Sequence, residues 1–129
     1  MKNIKLVLLK KLKIHEKINK NHLKEVEREI FYLGQIIDPI IVDLKTNVIL
    51  DGHHRVKILY KNGYSKAPVF YVNYFDNNIK LEQRRKNIII SKEIIIERAL
   101  NNNPFPHKTS KHIIPNLPKI KNIFLKDLK

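Results

Sequence analysis

Residues 48–56 read VILDGHHRV. Three apolar residues run into a carboxylate, a glycine, two imidazoles and a guanidinium, at a point where an extended pattern gives way to a helical one. Gly52 leaves room for a ligand to approach the backbone and tolerates positive φ. A helix that starts there turns its free N–H groups and the positive end of its dipole toward whatever lies above the turn. Arg55, one turn in, adds a forked pair of charge-assisted hydrogen bonds, and His53 and His54 add ring N–H donors. The set suits the phosphates of a nucleotide. Asp51 is the misfit: a carboxylate beside phosphates is repulsive unless it holds Mg²⁺ or manages a proton, which points to catalysis and not only to binding. A plainer reading of the same residues makes Asp51 a helix cap and the next three residues decoration of the first turn. Adjacent histidines project about 100° apart on a helix, so they do not share one metal ion readily. No glycine-rich run ends in Lys-Ser or Lys-Thr, so the turn is not a P-loop.

Two further stretches hold groups of chemical interest. Glu16 lies in IHEK (14–17), within a polar segment, and Lys108, Thr109, Ser110, Lys111 and His112 form KTSKH near the carboxyl end. Taken alone, the first is an ordinary surface glutamate and the second a solvated basic tail.

The elements that must position these groups follow from pattern. IKLVLL (4–9) predicts an opening strand, and residues 10–21 an irregular segment. Asn21 is placed to cap a helix over HLKEVEREIFYL, whose Leu23, Val26, Ile30 and Leu33 share one stripe and which Gly34 stops. Residues 38–44 and 48–51 predict a hairpin turning at Lys45-Thr46-Asn47, residues 53–63 a second helix closed by Gly63, and residues 67–75 a strand. NNIKLEQRRK breaks the pattern, NIII (87–90) predicts another strand, and Ser91 caps a third helix over 92–100 with Glu93 in its first turn. The four prolines that follow Asn103 predict an extended tail. The order β–α–β–β–α–β–β–α implies an α+β fold, a small mixed sheet with helices packed on it.

The 129 residues suit one domain, 1–129, and the 43% hydrophobic and 29% charged content a globular one. No cysteine is present, which excludes a disulfide framework, a thiolate metal site and a cysteine nucleophile. The first apolar segment is too short for a signal sequence or a membrane span, so a cytoplasmic protein without a membrane partner is expected. The formal charge of +14 admits nucleic acid as a partner. It is spread over both halves of the chain, however, and rests on lysine more than on arginine, the better base reader.

A strand, then DGHHR, then a helix resembles the nucleotide-binding turn of the ParB/sulfiredoxin-like superfamily. Sulfiredoxin chemistry needs a cysteine in this turn, where this chain has His53. The arginine-rich second motif and the helix-turn-helix of the ParB partition proteins are not evident. The chain is more similar to the archaeal free L-serine kinases of this superfamily, through HE at 15–16, VILDGHHR at 48–55 and SKEIIIERAL…FPHKTSKHIIP at 91–115. Longer relatives carry an extra segment where this chain has only NNIKLEQRRK.

The resemblance implies phosphorylation of free L-serine by ADP or ATP with Mg²⁺. In it Glu16 takes the proton from the serine hydroxyl, and Asp51 assists or positions Mg²⁺. Gly52, His53, His54 and Arg55 cradle phosphate. Lys108, Thr109, Ser110, Lys111 and His112 belong to a tail, residues 103–129, that closes over the substrate and the transferred phosphoryl group. Lys111 stands where the family often has arginine. The rival from another class is a non-catalytic ParB-like module that binds nucleotide or DNA; a kinase of another small hydroxylated metabolite is a third reading.

Overall fold

The computed structural model describes residues 3–129. Its elements are β1 (Lys5–Leu8), a 3-10 turn (Leu9–Lys11), α1 (Lys20–Leu33), β2 (Ile40–Asp43), β3 (Ile49–Asp51), α2 (His53–Lys61), β4 (Lys66–Val72), β5 (Lys80–Gln83), α3 (Lys92–Leu100), β6 (Ser110–Ile113) and a closing 3-10 turn (Leu125–Leu128). Four strands form one sheet in the order β1-β4-β2-β3, and β5 and β6 form a separate pair. β1 runs antiparallel to β4, β4 parallel to β2, and β2 antiparallel to β3 with a bulge between Ile41 and Val42. The mixed sheet with packed helices is the α+β fold that the pattern implies.

Side chains alternate across a strand, and β2 shows the result. Ile40 and Val42 enter a core shared with α1 and α2 (Leu23, Ile30, Ile58, Leu59), whereas Ile41 enters a second core with α3 and the hairpin region (Leu50, Tyr74, Ile79, Ile95, Phe105). Both faces of the central strand are therefore covered, which accounts for its continuous apolar run.

Several boundaries differ from the sequence expectation. α1 is capped by Asn19, not Asn21: the Asn19 side chain accepts from the N–H groups of Asn21 and His22 at 2.9 and 3.1 Å. Gly34 does end α1, in the left-handed region at φ 68°. Residues 87–90 lie in no strand; the strand of this region is β5, inside the stretch that broke the pattern. β5 has little apolar alternation of its own and is fixed by antiparallel pairing with β6, from Lys80↔Ile113 to Gln83↔Ser110. The proline-rich region is correspondingly more ordered than its local pattern implied. Phe105 N–H bonds to His15 O at 2.8 Å, Ile120 N–H to Ile37 O at 2.7 Å and Leu125 N–H to Gly34 O at 3.1 Å. Ile120, Leu125 and Leu128 are buried in the first core. Among the described residues no helix is long and apolar enough to cross a membrane.

Candidate functional site at the β3–α2 turn

β2 and β3 deliver Asp51 and Gly52 to the end of the sheet, and α2 begins at once. Gly52 adopts φ 115°, ψ 18°. A Cβ there would stand 2.8 Å from Ile40 Cδ1 and 3.1 Å from an Arg55 guanidinium nitrogen, so this backbone and this packing both require glycine. No side chain caps α2. Asp51 is thus not a cap; it lies exposed, with Oδ2 3.6 Å from an Arg55 nitrogen. The first helical bond is Val56 N–H to Gly52 O, at 3.0 Å, which leaves the N–H groups of the first turn pointing outward. Arg55, its side chain 16% exposed, also donates to Asp38 O at 2.6 Å.

The two histidines of the turn do something the sequence did not reveal. His53 Nε2 accepts the backbone N–H of His15 at 3.2 Å, and His54 Nε2 accepts that of Asn19 at 3.0 Å. Each neutral ring therefore keeps its proton on Nδ1, the nitrogen left to donate to an anion. Burial, reinforced at His53 by the ring of His15 and at His54 by that of His22, pushes both imidazoles below their ordinary range.

Glu16 and the carboxyl-terminal motif, more than 90 residues apart, meet beside this turn. Glu16 accepts from Lys108 N–H and Ser110 N–H, each at 3.1 Å, and from the Ser110 hydroxyl at 2.9 Å. The Ser110 hydroxyl also lies 3.2 Å from His15 Nε2. His15 was not singled out in the sequence beyond its place in the HE pair, yet it sits at the hub. Its Nδ1 lies 2.7 Å from Ile49 O, and its ring makes edge contacts with His53 and His112, at 4.5 and 5.5 Å between centroids. Burial pushes His15 down to about 4 and His112 down to about 3, so both are neutral near pH 7. Tyr74, also missed, places its hydroxyl 2.8 Å from His112 Nε2. No local signal marks Tyr74; it is one of several aromatic residues in an apolar stretch.

A cleft of about 1280 Å³ runs from α1 past the turn to the β5–β6 pair, and Glu16, Asp51, Gly52, Arg55, Lys108 and Ser110 all line it. His53, His54, Lys111 and His112 line it too. Thr109 does not: it is fully buried, and its hydroxyl donates to Pro106 O at 2.5 Å. Lys108 is held at φ 55°, with its side chain exposed, so its N–H rather than its ammonium engages Glu16. Lys111 is exposed and stands opposite Glu82 in the register of β6 and β5. Among the described residues no three His, Asp or Glu side chains gather into a metal-holding group.

No family model matches the chain. It is 34% identical over 96 residues, 71% of its length, to an ATP-dependent L-serine kinase of Staphylothermus marinus, and this match spans 38% of that protein. It is 36% identical over 91 residues to a ParB-like protein of Sulfolobus acidocaldarius, covering 70% of this chain and 44% of the relative. The chain thus spans less than half the length of these curated relatives. Among solved structures, a free serine kinase in complex with AMP superposes with a TM-score of 0.88 over 99% of this chain and 94% of that one, at 14% identity. By sequence the chain is thus similar to serine-kinase and ParB-like proteins, and it shares the fold of a free serine kinase along nearly its whole length.

Proposed function

We propose that the protein phosphorylates free L-serine to O-phospho-L-serine, with ATP or ADP as donor, in the cytoplasm. The observation that carries this reading is the convergence of Glu16 and the Lys108–His112 motif on the β3–α2 turn, within one cleft. The outward N–H groups of the first turn of α2, with Arg55 and the Nδ1–H groups of His53 and His54, form a donor set suited to the nucleotide's phosphates. The apolar end of the cleft, beside Val26, Ile30, Leu33 and Leu117, offers a surface for the base.

In this reading Glu16 is the general base. It takes the serine hydroxyl proton as that oxygen attacks the terminal phosphorus. The bond to the bridging oxygen breaks, and ADP leaves when ATP is the donor, AMP when ADP is. Lys108 N–H donates to Glu16 Oε2 and both Ser110 donors go to Oε1, so a second lone pair on Oε2 is left for the incoming hydroxyl. Alignment and charge neutralisation supply most of the acceleration in such a transfer.

Mg²⁺ commonly binds through one or two carboxylates and the substrate's own phosphate oxygens, and the single exposed Asp51 fits that mode better than an all-protein cage. Bound there, the ion would supply neutralisation of phosphate charge. Asp51 would then exchange its contact with Arg55 for the ion, which frees the guanidinium for phosphate.

Incubation with serine, Mg²⁺ and either ATP or ADP, followed by detection of phosphoserine, tests the proposal. Product is expected with at least one donor; none with either overturns it. The Sulfolobus relative and the charge of +14 favour one rival, a ParB-like module that binds nucleotide or DNA without catalysis. DNA affinity that falls steeply with salt, together with no phosphoryl transfer, would support that rival.

A further inference from the structure

The segment from Leu12 to Asn19 belongs to no helix or regular strand, yet it carries Glu16. A base on an irregular segment needs tethers if its carboxylate is to hold a fixed place. Backbone carbonyls supply some of them: Lys13 N–H bonds to Asn47 O at 2.9 Å and Lys17 N–H to Phe105 O at 2.8 Å. The N–H groups of His15 and Asn19 go instead to the Nε2 atoms of His53 and His54. Neighbouring helix positions diverge by about 100°, so the two rings reach points four residues apart in the segment, one before Glu16 and one after it. Both rings stand on the first turn of α2, the turn assigned to phosphate under the kinase reading.

We propose that His53 and His54 are positioning residues, whose Nε2 atoms hang the Glu16 segment from the phosphate-binding turn and so fix where the base meets the substrate hydroxyl. The proposal rests on the kinase reading for its catalytic consequence but not for the tether itself. It explains why the turn has two adjacent histidines, a spacing poor for sharing a metal ion. It also requires an acceptor at the far ring nitrogen, which burial supports by keeping both rings neutral.

His54 is the better residue to vary, because His53 also packs against the buried ring of His15. His54→Ala removes the acceptor, His54→Asn holds one too close to the helix, and His54→Gln carries an amide oxygen to about the reach of Nε2. Under the proposal His54→Ala and His54→Asn lose roughly 10-fold or more in kcat, beyond whatever nucleotide Kd loses with the Nδ1–H donor in all three variants, and His54→Gln recovers most of the kcat loss. Amide exchange at Asn19 in the ligand-free protein gives a readout independent of turnover: faster in the Ala and Asn variants, protected again in the Gln variant.

A Gln variant as impaired as the Ala variant overturns the proposal. So does an Ala variant with weakened nucleotide binding and unchanged kcat, which would make His54 a phosphate ligand only. If wild-type protein forms no phosphoserine, the kinase reading has failed, and the exchange pattern then decides the tether alone. Unchanged exchange in all three variants refutes it.

Discussion

Glu16 receives three hydrogen bonds from Lys108 and Ser110, so its carboxylate has a defined seat although its own segment lacks regular structure. Replacing it with glutamine keeps the size and one acceptor but removes the base. Glu16→Gln is expected to lower kcat by roughly 10²-fold or more with nucleotide Kd little changed, as measured by steady-state kinetics beside a direct binding titration. Gly52 makes a different demand. Gly52→Ala places a methyl group against Ile40 and Arg55 at a backbone angle that L-residues rarely adopt, and should cost on the order of 1–3 kcal/mol in thermal or denaturant unfolding. The glycine's importance was legible, because a strand that turns abruptly into a helix calls for one. The seat of Glu16 was not: nothing within ten residues of it hints at a partner near the other end of the chain. The sequence leaves Asp51 as cap or catalyst, and the uncapped start of α2 removes the cap.

Elements with strong internal periodicity were legible and those defined by a partner were not. The stripe of α1, the run of β2 and the Ser91 cap of α3 all have local causes. β5 and β6 are four residues each, charged and polar in large part, and each is a strand because the other is there. A similar tertiary cause moved the start of α1. Asn19 and Asn21 are equally good caps by type, but Asn19 has its N–H held by His54, and this fixes the chain entry at that residue. Asn19→Ala should therefore cost about 1 kcal/mol, seen as a lowered midpoint in thermal unfolding. Asn21→Ala, which removes no cap, should cost less.

Across the whole molecule, buried neutral histidines tie stability to pH. His15 and His112 have folded pKa values of about 4 and about 3, against an ordinary imidazole value of 6.5. Below 6.5 the unfolded chain takes up protons that the folded chain refuses, so stability that is complete above that pH is lost as it falls toward 4. Each such group contributes a slope of about 1.4 kcal/mol per pH unit once the unfolded form is protonated. Denaturant unfolding between pH 8 and pH 4.5 is expected to weaken the protein progressively below pH 6.5. His112→Asn should flatten that slope. A slope unchanged by the substitution would remove His112 from the account. Composition alone offered only a diffuse positive charge at this scale; that the neutral imidazoles lie at the heart of the site follows from the fold bringing residues 15, 53 and 112 together.

Two of the three bonds that seat Glu16 come from main-chain N–H groups, and main chain is the same whatever letter stands at the position. Evolution or an engineer can therefore exchange Lys108 for any residue that keeps an N–H and accepts its positive φ without disturbing that seat, whereas a one-residue deletion between Leu100 and Ser110 cannot be absorbed so cheaply. Strand side chains alternate with a period of two, so such a slip would turn Ser110 and His112 away from the acid and the imidazoles together. Spacing, more than spelling, is what this end of the chain must conserve.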